Sequence, residues 1–280
     1  MSLHVDWDAL SDPGNSRKGN EDQMLLGDLK NSMLVAKTTI PTGGIPWLSG
    51  EALQRVMIVA DGLGGNSTGG IASSLAVSTL SHYLVQLMPW SLSLTSQGET
   101  DLIDDLKMGL QKSQESLQRV DDGCSKKDCM ATSMTMAFIV WPRMYIIHAG
   151  HTRAYLYRGG KLTRLTTIHS VAQQLADGGV IKEDNVEDSP WNKVIWNTVG
   201  GAEKDLKLEV RRTILQTGDD VLLCTNGLCM DVSDERIAAI LSEGQPATIA
   251  CRALIGEALS AGGSHNATVA IARFGDADNK

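Results

Sequence analysis

The sequence has neither an excess of basic residues nor a cluster of them. Lysine and arginine together number 25 against 33 aspartates and glutamates, so the formal net charge is −8 and the pI is near 5.2. Proteins that bind nucleic acid or an anionic membrane surface usually carry a basic patch. The charge therefore argues against both, and we expect no nucleic acid and no membrane among the partners.

Long apolar runs are also missing, because no uninterrupted stretch is long enough to span a bilayer. The first residues contain two aspartates and no apolar core segment, so we expect no signal peptide. These absences together favour a cytoplasmic protein.

Cysteine is sparse, with five residues in the whole chain. Cys124 and Cys129 have the same separation as Cys224 and Cys229, which is compatible with a zinc site. However, the number is odd and Cys224 lies inside an apolar run, so we expect reduced, partly buried thiols instead.

Internal repeats and domain linkers are not found either. The chain has 280 residues, of which 42% are hydrophobic, so it can bury a substantial core. We predict one domain over residues 1–275, followed by a loose polar tail over residues 276–280.

The order of the predicted elements indicates the fold class. Apolar residues at helical spacing predict helices at 68–88, 101–120, 170–177, 235–241 and 247–259. Strand-like runs stand before, between and after the helix pairs, beginning with 3–10, 24–26 and 33–36. The stretch 38–50, rich in Gly, Pro and Thr, is predicted to be a loop. Separate runs of each type favour an α+β fold with antiparallel sheets and helices on the outer faces.

The predicted strand at 56–60 ends at a candidate functional residue. The run 56–60 is apolar and β-branched, and Asp61 and Gly62 follow it directly. A carboxylate at the end of a buried strand is costly unless it binds a cation or hydrogen-bond donors. Glycine beside it lets a backbone carbonyl approach the same cation. An isolated Asp-Gly pair is more typical of a simple turn, so the neighbouring motifs decide.

Seven segments in order along the chain carry a family resemblance. They are 17–22, 59–65, 131–133, 150–156, 165–170, 222–228 and 263–268. In sequence and spacing they resemble the metal-dependent protein phosphatases of type 2C, the PPM family, along nearly the whole chain. The resemblance implies a four-layer α-β-β-α sandwich of two antiparallel sheets flanked by helix pairs. It also implies an active site at one end of the sandwich.

The same resemblance implies one catalytic and metal-binding constellation. Two divalent ions, Mn²⁺ or Mg²⁺, would activate a water that attacks phosphoserine or phosphothreonine. By position in the motifs, Asp61 is the bridging catalytic ligand, and Gly62 offers its carbonyl oxygen to the metal. Glu21 holds the second ion, and Asp22 supports it through water. Arg17 binds the phosphate, a group that its planar guanidinium suits.

The partners follow from the same family. We expect a phosphorylated protein as substrate, a cognate serine/threonine kinase in signalling, and a monomeric chain. The excursion 176–196 would be a flap beside the substrate groove.

Four acidic positions of the family pattern are not acidic in this chain. Asn226 and His265 stand where the family has the aspartates that hold the first ion together with Asp61. His151 stands at the position for a third, weaker ion, and Ile168 replaces a fourth aspartate. Because hard ions such as Mg²⁺ prefer charged oxygens, these replacements weaken the expected metal site.

Two arrangements of the site are therefore open. One ion could be held by Glu21, Asp61 and the Gly62 carbonyl, or His265 could help to bind a softer ion such as Zn²⁺, Mn²⁺ or Fe. His151 and His265 could equally be ordinary hydrogen-bonded histidines in an inactive site.

Two functions are open as well. We favour a weakened or altered serine/threonine phosphatase, because asparagine and histidine can still coordinate a metal. The alternative is a pseudophosphatase that binds phosphoproteins or regulates a pathway.

Overall fold

The computed structural model describes residues 3–34, 47–64, 68–86, 96–121, 129–202 and 205–276. In chain order the strands are β1 (Leu3–Asp12), β2 (Asp22–Leu34), β3 (Trp47–Leu63), β4 (Ala131–Val140), β5 (Arg143–Ala149), β6 (Arg153–Arg158), β7 (Lys161–Arg164), β8 (Val199–Gly200), β9 (Glu209–Ile214), β10 (Asp220–Cys224) and β11 (Ala267–Asp276). The helices are α1 (Thr68–Gln86), α2 (Ser96–Val120), α3 (Val171–Asp177), α4 (Asn226–Asp231), α5 (Asp234–Ser242) and α6 (Ala247–Ser260).

The strands form two sheets in which every pairing is antiparallel. The first sheet has the order β1-β11-β10-β6-β7. The second has the order β2-β3-β4-β5-β9, with β8 paired to β4. Short connections link neighbouring strands in several places, which is what antiparallel pairing permits.

Three apolar clusters hold the layers together. One lies between the second sheet and the pair α1–α2, and a second lies between the first sheet and α4–α6. The third fills the space between the two sheets. Strand β4 is buried along nearly its whole length, because one face meets a helix pair and the other meets the opposite sheet. The predicted four-layer α-β-β-α sandwich is confirmed.

The helix α1 shows how the sequence specifies this packing. Its buried apolar positions Ala72, Ala76, Leu80 and Leu84 recur every four residues, so they form one stripe. That stripe faces β3, and α2 packs beside it. Small residues in the first two turns let the helix lie close to the sheet.

The structure corrects several predicted elements. Residues 47–50, predicted as part of a loop, form the start of β3 and pair with the end of β2. This cross-strand pairing outweighs the local Gly and Thr content. The strand expected at 24–26 and the first two residues of the one expected at 33–36 are parts of β2, which has a register shift between Lys30 and Ser32. Residues 35–36 lie outside the described residues. Helix α4 was not predicted, because its six residues are too short for a helical period to be visible. The remainder of the loop prediction, 38–46, lies outside the described residues.

Three other predictions concern the tail, the thiols and the membrane. Asp276, predicted in the loose tail, belongs to β11, and the rest of that tail lies outside the described residues. Cys224, Cys229 and Cys251 are free thiols, whereas Cys129 is disulfide-bonded, which the expectation of reduced cysteines did not include. None of the described helices has the length and apolar character needed to cross a membrane.

Candidate active site

A cleft of about 740 Å³ opens where both sheets end on the same side of the sandwich. The second sheet contributes the residues just before β2 and at the end of β3. The first sheet contributes the junction of β10 with α4 and the loop before β11. The turn between β5 and β6 closes the cleft from the side. Seven of the predicted site residues line it, namely Arg17, Glu21, Asp61, Gly62, His151, Asn226 and His265.

Asp61 lies in the floor of the cleft, near the end of β3. It is the cross-strand partner of Asp22 on one side and of Ser133 on the other. Burial raises the pKa of Asp61 to about 7, whereas the hydrogen bond from the backbone N–H of Asn226 lowers it. Two carboxyl groups side by side in a buried place repel each other when ionised, so this arrangement favours a bound cation.

Asp22 lies directly behind the cleft and does not line it. One carboxylate oxygen, Oδ2, accepts hydrogen bonds from the hydroxyls of Thr225 and Thr268, each at 2.7 Å. The other oxygen, Oδ1, is buried and has no hydrogen-bond partner among the described residues. Burial, followed by the charge of Asp61, raises the pKa of Asp22 to about 8. Asp22 therefore stabilises the site from behind and has one oxygen left for a water or an ion.

Glu21 is placed by its backbone. Its N–H donates to Asn266 Oδ1 at 2.9 Å, and its carbonyl accepts from the N–H of Gly62 at 3.2 Å. A Cβ atom on Gly62 would clash with the carbonyl of Gly69 and would lie 2.7 Å from the carbonyl oxygen of Glu21. Glycine is therefore required after Asp61, because the chain packs against two backbone segments there.

Arg17 and His265 stand together on the open side of the cleft. Arg17 is exposed, and its Nη2 lies 3.5 Å from Nδ1 of His265. Burial and the adjacent Arg17 charge lower the pKa of His265, although Asp231 opposes this effect. His265 is thus favoured in its neutral form, in which a ring nitrogen can coordinate a metal.

His151 faces Asp61 from the turn between β5 and β6. Its Nδ1 lies 3.8 Å from Asp61 Oδ2 and accepts or donates no hydrogen bond within the part of the chain that the structure describes. Burial and then the charge of Arg153 lower the pKa of His151 to about 4, so the contact with Asp61 is not an ion pair at neutral pH. The backbone N–H of His151 donates to Ser133 Oγ at 3.1 Å, which fixes the turn against β4.

The flap 176–196 forms the far wall. It begins with the last two residues of α3 and contains two short 3-10 turns, Glu183–Asn185 and Pro190–Lys193. Glu187 binds Arg153 and Arg164, each at 3.2 Å, and so ties the flap to the β6–β7 hairpin. Residues from Glu187 to Lys193, apart from Trp191, line the cleft.

Ligand atoms of His148, His169 and Glu209 lie within 4.8 Å of one another behind the β5–β6 turn. Both ring nitrogens of His148 are engaged, Nδ1 with Thr135 Oγ1 at 2.9 Å and Nε2 with the carbonyl of Thr167 at 3.0 Å. Glu209 accepts from the N–H of Thr167 at 2.8 Å. These contacts describe a hydrogen-bonded support and not an open metal site.

The cluster of His148, His169 and Glu209 holds the turn that carries His151. His169 Nδ1 accepts from the N–H of Gly150 at 3.1 Å, and its backbone N–H donates to the carbonyl of Gly150 at 2.8 Å. The ring of His169 packs between His148 and Trp196, with centroid distances of 4.9 and 5.4 Å.

Replacement of His148 by glutamine is expected to weaken the pH dependence of stability. Burial lowers the pKa of His148 to about 3, so between pH 6.5 and that value the unfolded chain binds a proton that the folded chain does not. Stability is therefore lost as the pH falls through this window, with a slope of up to about 1.4 kcal/mol per pH unit from this residue. Urea unfolding from pH 6.5 to pH 4.5 measures the slope.

The matched control is His82→Gln, because His82 is exposed on α1. The control is expected to keep the wild-type slope. An equal slope in His148→Gln and wild type would show that His148 is not buried in its neutral form.

The donor set fits a divalent cation on the β2–β3 side of the cleft. Glu21 and Asp61 offer carboxylate oxygens there, and Gly62 brings its backbone close to both. The unpartnered Oδ1 of Asp22 points to the same need for a cation or an ordered water. On the opposite side Asn226 and His265 are neutral donors, so that half of the site attracts a hard cation less strongly.

Comparison with known proteins decides the family. The family described as protein phosphatase 2C matches residues 47–261. The chain belongs to the protein phosphatase 2C family. The resemblance read from the sequence motifs is thereby confirmed.

Similar proteins include bacterial serine/threonine phosphatases. PstP of Mycobacterium tuberculosis is 29% identical over 278 residues, which cover 99% of this chain and 46% of PstP. The chain therefore spans about half the length of that relative. The phosphatase Stp of Listeria monocytogenes is 26% identical over 218 residues, covering 78% of this chain and 84% of Stp.

Solved structures of PstP share the fold. The M. tuberculosis PstP/Ppp structure has a TM-score of 0.77 at 26% identity and covers 97% of this chain and 99% of that one. The catalytic domain of PstP in complex with two manganese ions has a TM-score of 0.75 at 25% identity, covering 98% of this chain and all of that one.

Several residues around the cleft were not assigned roles from the sequence. Asn266 holds the loop before β2 through Glu21, Pro13 and Gly19. Thr225 and Thr268 hold Asp22 from the opposite sheet. The sequence places these three residues close to Asn226 or His265, but only the fold shows that they lie against β2 and the loop before it.

Proposed function

We propose that this chain is a metal-dependent serine/threonine protein phosphatase whose metal dependence is altered by Asn226 and His265. The observation that carries the proposal is the presence of Arg17, Glu21 and Asp61 in one cleft. These are the groups that a phosphoryl-transfer site requires, namely a cation for the phosphate and carboxylates for metal ions. The phosphatase names of the bacterial relatives support the same reaction.

The residues of the chain have distinct tasks in this proposal. Arg17 binds the phosphoryl oxygens of a phosphoserine or phosphothreonine at the open side of the cleft. Glu21, Asp61 and the Gly62 carbonyl would hold Mn²⁺ or Mg²⁺, and Asp22 would support them from behind. A bound divalent cation lowers the pKa of a water and offsets charge on the phosphoryl oxygens. The manganese complex of PstP supports this choice of ion.

Asn226, His265 and His151 determine how many ions are held and of what kind. Asn226 offers a neutral oxygen and the two histidines offer nitrogens, so a second ion would be bound more weakly or would be softer. Glu187 and the rest of the flap would contact the phosphoprotein. The kinase that produces this phosphoprotein would be the functional counterpart of the chain.

The neutral side chains of Asn226, His265 and His151 also support a second candidate function. Without the carboxylates for the first ion, the cleft would bind a phosphorylated segment through Arg17 and would not hydrolyse it. The chain would then be a pseudophosphatase.

A phosphatase assay distinguishes the two functions. The protein is treated with EDTA and tested on a phosphothreonine peptide with Mn²⁺, Mg²⁺, Zn²⁺ or Fe²⁺ in turn. We expect turnover above an Asp61→Ala control with Mn²⁺ or a softer ion, and less with Mg²⁺. If every metal gives only the rate of the control, the phosphatase proposal is wrong. Phosphate-dependent peptide binding that Arg17→Ala abolishes would then establish the pseudophosphatase.

A further inference from the structure

Two cysteines lie close together beside the active site. Cys224 ends β10, and Cys229 lies in α4, with the site residue Asn226 between them. Their sulfur atoms are 3.4 Å apart. A disulfide bond has a length of about 2.05 Å, so the two sulfurs need to approach by about 1.4 Å to bond. Neither thiol has a task in the proposed phosphatase reaction.

The two thiols differ in their access to solvent. Cys224 is fully buried, whereas Cys229 is half-buried and lines the active-site cleft. A small oxidant that enters the cleft therefore meets Cys229 first. Cys224 lies behind it, within reach of the oxidised sulfur.

A buried cation stands near Cys229. Arg153 is only 4% exposed and donates to the Tyr155 hydroxyl at 3.2 Å, and this hydroxyl lies 3.7 Å from the Cys229 sulfur. The Tyr155 hydroxyl itself donates to Asp234 at 2.9 Å. Because positive charge favours the thiolate, which is the reactive form of cysteine, this surrounding suits a nucleophilic Cys229.

We propose that Cys229 and Cys224 form a peroxide-oxidation site, in which Cys229 is the attacking thiol and Cys224 is the resolving thiol. The ligand class is a hydroperoxide, with hydrogen peroxide as the simplest member. Nothing in this proposal depends on the phosphatase reaction.

The chemistry takes place in two balanced steps. In the first, Cys229 sulfur attacks one peroxide oxygen, the S–O bond forms, the O–O bond breaks, and the released hydroxide takes up the thiol proton as water. In the second, Cys224 sulfur attacks Cys229 sulfur, the S–S bond forms, and the S–O bond breaks. The departing hydroxide takes the proton of Cys224 as a second water. The two sulfurs are oxidised by two electrons in total, and the peroxide is reduced.

The disulfide would constrain the segment between the two cysteines. That segment carries the Thr225 hydroxyl to Asp22 and the Asn226 N–H to Asp61. Oxidation at this site would therefore act on the first-sheet half of the active site.

Peptide mass analysis tests the proposal directly. Cleavage after Arg212 and Arg236 gives one tryptic peptide, 213–236, that contains Cys224 and Cys229 and no other cysteine. The reduced protein is treated with increasing hydrogen peroxide, alkylated and digested. We expect this peptide to lose two hydrogen atoms and to become resistant to alkylation, and we expect dithiothreitol to reverse both changes.

Three variants assign the roles. In Cys224→Ser and Cys224→Ala, Cys229 is expected to stop at the sulfenic acid, which dimedone traps, and then to advance to the sulfinic acid. In Cys229→Ser, Cys224 is expected to stay unmodified, because it is buried. Cys251→Ser is the matched control, since Cys251 is also buried but lies on α6, and it is expected to behave like wild type.

Two results would overturn the proposal. One is a wild-type peptide in which Cys229 reaches the sulfinic acid as fast as it does without Cys224. The other is a peptide that stays reduced at peroxide concentrations that fully oxidise free glutathione in the same tube.

Discussion

Asp61→Asn is expected to abolish metal-dependent turnover and to leave the metal-free protein at least as stable as wild type. The side chain has nearly the same shape, and its amide oxygen can still accept the N–H of Asn226. What is lost is a negative charge buried beside Asp22, whose repulsion opposes folding when no cation is present. A carboxylate kept for structure alone would show the opposite result, because its removal would lower the melting temperature.

The magnitude follows from the loss of a shared ligand. We expect Mn²⁺ binding, measured by calorimetric titration, to weaken about 100-fold or more, which is about 2.7 kcal/mol. Turnover on a phosphothreonine peptide is expected to fall by at least the same factor. Thermal unfolding in EDTA measures the stability of the metal-free protein.

The control for this variant is Asp184→Asn. Asp184 is an exposed carboxylate of the flap and does not line the cleft. It is expected to change neither the Mn²⁺ affinity nor the turnover. If Asp61→Asn retains wild-type Mn²⁺ affinity, Asp61 is not a metal ligand, and the interpretation of the cleft is wrong.

The double substitution Asn226→Asp/His265→Asp is expected to produce the second large effect. Both residues line the same cleft as Asp61 and Glu21. Two added carboxylates supply the charge that a hard cation prefers, so Mn²⁺ and Mg²⁺ are expected to bind at least about tenfold more tightly. Turnover with Mg²⁺ is expected to rise from a low base.

The double variant is also expected to depend more strongly on metal for its stability. Two further negative charges enter a cleft that already holds Glu21 and Asp61, so the metal-free form becomes less stable. A ligand present at 100 times its dissociation constant stabilises the folded state by about 2.7 kcal/mol. The melting temperatures in EDTA and in excess Mn²⁺ are therefore expected to differ more in the double variant than in wild type.

The single substitutions separate the two possible roles of His265. If its ring nitrogen binds a softer ion, His265→Asp lowers the Zn²⁺ affinity and raises the Mg²⁺ affinity. If it does not, the Zn²⁺ affinity changes no more than in Asn226→Asp. A wild-type protein that already reaches the turnover of the double variant would show that the two replaced acids do not weaken the site.

The sequence predicted the end of β3 and the buried face of α1 well because their signals are local. The apolar run before Asp61 and the glycine after it describe a strand end that meets other backbone closely, and the structure contains that close approach at Gly62 and Gly69. The helical stripe of α1 is likewise readable from spacing alone.

Other parts could not be predicted because they depend on contacts between distant segments. The first residues of β3 read as a loop until their pairing with β2 is known. Asn266 supports Glu21 across 245 residues of sequence, and no local pattern marks that contact. The short distance between Cys224 and Cys229 is set by a six-residue helix that has no visible period.

The two halves of the cleft belong to different sheets. Glu21 and Asp61 are carried by the second sheet, whereas Asn226 and His265 are carried by the first. The distance between these two sets of donors therefore depends on the thickness of the sandwich. That thickness depends on the small side chains packed between the sheets, such as Ala137, Ala154 and Ala270. A larger side chain in place of one of these alanines would push the two sheets apart. The distance between the donors would increase although the new side chain contacts none of them.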